Sequence, residues 1–321
     1  MGEGLLKALF FYEKNGKGDS ENMSFVTVLL PIFFVFGLGF IAQKLLHFDP
    51  SPFSKLALYI LVPVLVFQTF YEETITFSYV FILIYMLGLC ASIILIVTVL
   101  SKFGRYTEEE RCGLVLSSAF TNNGNYGTPL ILFLFGSVGM ETAIVLMVLQ
   151  QLLMSTLGVY YAAKGGKDGD GISAALRAVR KMPMVYGALV GIAFHYLHLP
   201  LGELKGGIEL VASAAIPIIM LTLGMQLATL KVDTVDRMKV SIALVLKLVA
   251  APLLAALIVM PMPVDLLTKQ IMIIMAATPT AANTTMYAIQ FQTAPQTVTT
   301  STFATTVLSI ITMPIVIYFV S

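Results

Sequence analysis

The sequence predicts an all-α polytopic membrane protein of ten transmembrane helices, built as two five-helix halves of opposite orientation. Three observations carry this. Hydrophobic residues make up 58% of the chain and charged residues 12%, with a mean hydropathy of +0.90, so charge is about half the roughly 25% usual in soluble domains. Apolar runs long enough to span, about 20 residues each, recur ten times. Two of those runs, five apart in order, are interrupted by polar and helix-breaking residues.

In chain order the predicted spans are Ser24 to Leu46, Ser54 to Phe70, Phe77 to Leu100, Cys112 to Phe135 and Thr142 to Ala163 in the first half. The second half holds Pro183 to Leu201, Ile208 to Leu230, Val240 to Met260, Gln270 to Gln290 and Gln296 to Val320. Residues 1–23 form an N-terminal extension, 24–164 the first repeat, 165–182 a cytoplasmic linker and 183–321 the second repeat. The apolar piece Leu5 to Tyr12 of the extension is too short to span, and it lacks the longer core and cleavage site of a signal peptide. Gly165, Gly166, Gly169 and Gly171 make the polar loop Lys164 to Gly171 a flexible connector on this reading.

Basic residues in short loops are retained on the cytoplasmic side. The loops after spans 1, 3, 5 and 7 carry Lys44, Lys55, Lys102, Arg105, Arg111, Lys164, Lys167, Arg177, Arg180, Lys181, Lys231, Arg237 and Lys239, whereas the other side carries Lys7, Lys14, Lys17, Lys205 and Lys269. Both termini are therefore expected outside. A net charge of +1 offers no basic surface for nucleic acid, so none is expected as a partner. The lipid bilayer is.

The first interrupted run reads Ser118-Ala119-Phe120-Thr121-Asn122-Asn123-Gly124-Asn125-Tyr126-Gly127-Thr128-Pro129-Leu130, and the second Thr278-Pro279-Thr280-Ala281-Ala282-Asn283-Thr284-Thr285. Irregular backbone at membrane depth is tolerated only where protein or a watery cavity surrounds it, and paired broken helices in two halves point to a transporter's substrate site. Packing kinks are the competing explanation, since Gly and Pro are common in membrane helices. Three Asn within four residues add polarity that packing does not need. Span 7, with Ile216-Pro217-Ile218, echoes span 2, with Val62-Pro63-Val64. Spans 2 and 4 thus correspond to 7 and 9, and an odd offset inverts the second half.

The pattern Asn122-x-Gly124-x-x-Gly127-x-Pro129-Leu130, the Pro279 and Asn283 break, and Ser309-Ile310-Ile311-Thr312-Met313-Pro314 resemble the auxin efflux carrier family, over nearly the whole chain from Met23. The resemblance implies a scaffold domain and a transport domain, as in bile-acid sodium symporters. It also implies that helices 4 and 9 cross at Pro129 and Pro279 beside the substrate, and that the protein is a homodimer. Substrates associated with the family are auxins in plants and dicarboxylates such as malonate in bacteria. The short linker lacks the long phosphorylated loop of plant carriers and suggests a prokaryotic inner-membrane member.

Read for chemistry, the breaks supply free helix N-termini and amide donors suited to a small organic acid anion. The candidate substrate residues are Asn122, Asn123, Gly124, Asn125, Gly127, Pro129, Pro279, Thr280, Asn283 and Thr284, with apolar Phe120, Tyr126 and Met286 nearby. Gln68 and Gln226 either line the same cavity or bond between helices. Lys247 is the one charge deep in a predicted span, and serves either as a vestibule cation or as a side chain snorkelling to the interface. His195 and His198 read as interfacial residues. No metal, cofactor or enzymatic motif is apparent. No Asp or Glu lies deep in a span, so the economical expectation is a potential-driven exporter of an organic acid anion; the family resemblance implies an auxin-like or dicarboxylate one. A small-acid-sensing membrane receptor and a sodium- or proton-coupled importer are the alternatives.

Overall fold

Prolines shape the helices of this chain more than any other residue type. The computed structural model describes residues 25–73, 76–166, 171–229 and 236–320; the N-terminal extension, residues 167–170 of the linker and Lys231 lie outside these. The elements are α1 (Phe25–Leu46), α2 (Pro50–Glu72), α3 (Ser78–Phe103), α4 (Glu108–Ser118), α5 (Asn123–Gly165), α6 (Gly171–Arg180), α7 (Pro183–Tyr196), α8 (Leu204–Thr229), α9 (Arg237–Val259), α10 (Leu266–Ala276), α11 (Ala282–Phe291) and α12 (Pro295–Val320). Within α2, α5 and α9 a widened π turn ends two residues before a proline: Ala57–Leu61 before Pro63, Asn123–Gly127 before Pro129, and Leu246–Ala250 before Pro252. A proline ring has no N–H and crowds the carbonyl four residues back, and the wider turn relieves both.

The described residues are all-α, and the sole extended pairing among them is one isolated bridge between Thr121 and Thr280. Six helices are long and apolar enough to cross a membrane: α2, α3, α5, α8, α9 and α12. The long α5 is not straight. Gly136 sits at φ 63° and ψ −152°, and a Cβ added at Gly139 would lie 2.8 Å from Ile131 Cγ2. Eight residues of straight helix cover about 12 Å, so α5 doubles back as a hairpin. The sequence predicts six non-helical residues, 136–141, at this point; one glycine in the left-handed region makes the reversal instead.

The helices sort into two groups. In the first, α1 runs against α8 and α7 against α2, with α8 also touching α2. These contacts are backbone to backbone. A Cβ on Gly39 would lie 2.1 Å from Leu221 O, one on Gly224 2.0 Å from Phe36 O, and one on Gly187 2.4 Å from Pro63 O. Such small-residue crossings are how helices associate in lipid, where burial of apolar surface gives no drive. In the second group α3, α4, α5 and α9 to α12 pack on one another.

Thr107 caps α4 in a reciprocal box with Glu110. Three consecutive glutamates then tie this end to its neighbours: Glu108 to Arg111 and Lys164, Glu109 to the Ala294 N–H, and Glu110 to Lys239. The Lys239 hydrogen bond holds the Glu110 carboxyl below its ordinary range.

After the glycine-rich stretch, the linker continues as the helix α6, packed along the returning arm of α5, because Ala174-Ala175-Leu176-Arg177-Ala178-Val179 has high helix propensity. The Gly contacts lead to a prediction. Gly224→Ala should lower the stability of the purified protein by about 1–3 kcal/mol through overpacking, whereas Gly37→Ala, whose Cβ would meet nothing within 4 Å, should be neutral in the same thermal or denaturant unfolding assay.

Candidate functional site

The two predicted breaks meet. After α4 ends at Ser118, the Asn122 N–H donates to Pro279 O at 2.9 Å, and the Ala281 N–H donates to Phe120 O at 3.1 Å. This is a reciprocal, antiparallel bridge centred on Thr121 and Thr280. Each break thereby supplies the partner that the other would lack in hydrocarbon. Threonines finish the frame: Thr280 Oγ1 donates to Ser117 O at 2.6 Å, the Thr280 N–H donates to Thr305 Oγ1 at 3.2 Å, and Thr284 Oγ1 donates to Ala281 O at 2.7 Å.

Beyond the bridge, two helices start afresh. The π turn Asn123–Gly127 opens α5, with the Tyr126 and Gly127 N–H groups both donating to Asn122 O, and Ala281 precedes α11. The first N–H groups of any helix have no partner within it. Here both starting turns face one cavity of about 50 Å³. Thr121, Asn122, Gly124 and Asn125 line it from one break, Ala281, Ala282 and Asn283 from the other. Met147, Gln150, Gln151 and Met154 come from the returning arm of α5, and Leu58, Val62, Met184 and Ile219 from α2, α7 and α8. The cavity therefore lies between the two helix groups.

Three polar atoms in this lining are buried without a partner: Asn122 Nδ2, Gln150 Nε2 and Thr121 Oγ1. A buried donor left unpaired costs about 1–3 kcal/mol, and such a group in a native structure needs a reason. A third amide, Asn283 Nδ2, has only a 3.5 Å contact to Gln151 Oε1. No charged side chain lines the cavity.

Of the residues singled out in the sequence, Asn122, Gly124, Asn125 and Asn283 reach the cavity. The others hold its frame. Asn123 spans Leu146 O at 3.5 Å and Thr278 Oγ1 at 3.4 Å. Gly127 packs on Met275, where a Cβ would come 2.5 Å from the sulfur. Pro129 is buried in the first turn after the π segment, Pro279 lends its carbonyl to the bridge, and Thr280 and Thr284 bond as above.

Gln68 and Gln226 do not line the cavity. Gln68 Nε2 contacts Glu72 at 3.3 Å, and Gln226 Nε2 donates to Ser54 Oγ at 2.9 Å. Lys247 neither snorkels nor opens on a vestibule, being fully buried with Nζ donating to Ala276 O at 3.1 Å. Met286 points outward and is 61% exposed, while Phe120 and Tyr126 are fully buried in the core. His195 Nδ1 contacts Tyr71 O at 2.8 Å. Gln150 and Gln151 were missed by sequence reasoning, although two adjacent amides inside the apolar run Thr142 to Ala163 are a signal of the same kind as the three asparagines.

A family model described as "Membrane transport protein" matches the chain twice, over residues 24–171 and 171–317. The chain belongs to this family. Its motifs are those of the auxin-efflux-carrier-like transporters, in a short prokaryotic form. An uncharacterized transporter of Methanothermobacter thermautotrophicus is 25% identical over 303 residues, 93% of this chain and 97% of the relative. An uncharacterized transporter of Methanocaldococcus jannaschii is 25% identical over 211 residues, 64% of this chain and 67% of the relative. The family and these relatives are described as transporters, not enzymes.

The division between frame and cavity is testable by stability alone. Gln150→Leu, which removes an unpaired donor, should leave thermal stability equal or higher. Thr280→Val removes a made hydrogen bond and orphans Ser117 O, and should cost about 1–3 kcal/mol in the same unfolding measurement.

Proposed function

We propose that this protein is an alternating-access carrier for small organic acid anions, with ten spans in a five-plus-five inverted repeat and the substrate held where the broken spans 4 and 9 cross. The observation that carries the proposal is the set of partnerless donors, Asn122 Nδ2, Gln150 Nε2 and Thr121 Oγ1, around a cavity with no charged side chain. A carboxylate is acceptor-only. It satisfies unpaired N–H groups and gains from two helix N-termini at once. A cation would meet the wrong ends of two helix dipoles.

Two observations fit the repeat. The family model matches in two stretches, residues 24–171 and 171–317, that divide the chain near its middle. The packing is reciprocal as well: α1 against α8 and α7 against α2 are spans 1 and 7, and spans 6 and 2, which an offset of five exchanges. On this reading residues 24–164 and 183–321 are the repeats, the α1, α2, α7 and α8 group is the scaffold, and the remaining helices move against it. The cavity's position at the boundary suits such movement. The basic loops put both termini outside the plasma membrane, and family resemblance argues for a homodimer through the scaffold.

Size narrows the substrate. A water needs about 10–15 Å³ of such space, so the cavity of about 50 Å³ suits a mono- or dicarboxylate of malonate scale better than an aromatic auxin. With the interior negative, an anion gains roughly 2.3 kcal/mol per charge per 100 mV on leaving. That favours export.

Flux into proteoliposomes of radiolabelled acetate, malonate, succinate and indole-3-acetate, under an imposed potassium-diffusion potential, tests the proposal. Saturable, potential-sensitive movement of a small acid is expected. Asn122→Ala and Asn283→Ala should each weaken apparent affinity roughly ten- to hundredfold, the worth of one hydrogen bond to a charged group. Saturable binding without flux would make the protein a sensor, and unchanged affinity in both variants would put the substrate elsewhere.

A further inference from the structure

The second break has a feature that anion binding leaves unexplained. Lys247 lies in the π turn Leu246–Ala250 of α9 and is fully buried. Its ammonium donates to Ala276 O, the carbonyl of the last residue of α10, at 3.1 Å. Among the described residues it is in no ion pair. A buried lysine with no carboxylate beside it is costly to keep charged and calls for a function.

Its position gives the reason. The C-terminal end of a helix concentrates carbonyls and partial negative charge, and in transporters with broken helices those half-helix C-terminal ends hold the coupling sodium ion or proton. The two breaks present two such ends, and they are treated differently. At the end of α4, the Ser117 carbonyl is met by a neutral hydroxyl, that of Thr280, while Ser117 and Ser118 turn their own hydroxyls back onto Gly113 O and Leu114 O. At the end of α10, Thr278 Oγ1 covers Met275 O and the Lys247 amino group meets Ala276 O. The turn carrying Lys247 also packs against α12, where the fully buried Ser301 hydroxyl has no partner.

We propose that Lys247 is the resident cation of the second break, its ammonium standing where an exchangeable sodium ion would otherwise bind the carbonyl end of α10, so that the carrier works without sodium. The charge is then a fixed part of the protein, and the anion moves without a stoichiometric cation. Removing the ammonium leaves Ala276 O facing a space of cation size and restores the need for an added ion. As a statement about transport this rests on the carrier reading above; as a statement about Lys247 it does not.

The test uses the purified full-length protein in detergent, with Tm measured in sodium chloride, potassium chloride and choline chloride of equal ionic strength. The wild type and Lys247→Arg should show the same Tm in all three salts. Lys247→Gln and Lys247→Met should show a lowered Tm that sodium, and not choline, raises; if these variants cannot be recovered without sodium, recovery of monodisperse protein only in sodium is the supporting result. A sodium-dependent wild-type Tm overturns the proposal. So do neutral variants that are indifferent to sodium, and neutral variants that cannot be recovered in any of the three salts. In proteoliposomes, wild-type flux should be the same in sodium and choline, and Lys247→Gln flux should fall about tenfold or more in choline, the loss of one charged hydrogen bond, and recover in sodium. Absence of wild-type flux would sink the carrier reading while leaving the Tm result to decide on Lys247.

Discussion

Hydrocarbon offers no hydrogen-bond partners, and that constraint makes the bridge between Thr121 and Thr280 the contact on which the rest of this structure depends. Two helices are broken at membrane depth, and neither break is tolerable alone. Joined by the Asn122 N–H to Pro279 O and Ala281 N–H to Phe120 O bonds, they become a single element whose outward-facing groups are satisfied. Pro279 contributes by what it lacks, because a residue without an N–H ends α10 without leaving a donor behind. The threonines then tie this element to α4 and α12.

What the bridge leaves over is the site. Joining the breaks in the middle frees four helix ends in one small region, two of each polarity. The two N-terminal ends face the cavity with the amides of Asn122, Asn125, Gln150 and Asn283 around them. The two C-terminal ends do not line it and are closed by Thr280 on one side and Lys247 on the other. Polarity is thus sorted by the direction of the chain, and the cavity gathers amide donors and helix N-termini without any cationic side chain in its lining. The tight glycine crossings of α1 with α8 and α2 with α7 belong to the other group of helices, which supplies Leu58, Val62, Met184 and Ile219 as an apolar wall.

Much of this was legible in the sequence because it is local. Asn-rich and proline-bearing interruptions in apolar runs mark the breaks wherever they lie in space, and the family motif sits on them. What one chain read in order does not give is pairing across it. That Thr280 would bond Ser117, 163 residues away, or that Gln226 would reach Ser54 rather than the cavity, depends on helix rotation, which a helix apolar on all sides does not encode. Lys247 illustrates the same limit. Its depth in α9 was readable, but not that it faces inward to the end of α10. Gln150 and Gln151 were readable in principle, since their polarity is as anomalous as that of the asparagines, but they lie in an unbroken segment and so raise no backbone question.

The account makes the cavity an acceptor's site, and the most direct measurement is the distance between a carboxylate carbon and the amides named. Magic-angle-spinning NMR on the protein reconstituted in lipid, with side-chain 15N-labelled Asn and Gln and 13C-carboxylate malonate, reads that distance through the carbon–nitrogen dipolar coupling. The account predicts a coupling that fits a hydrogen-bonded pair, about 3–4 Å from carboxylate carbon to amide nitrogen given a donor–acceptor distance near 2.9 Å, and its reduction in both Asn122→Ala and Gln150→Leu. Bound malonate with no coupling to any Asn or Gln side chain, or a coupling untouched by both substitutions, would contradict it.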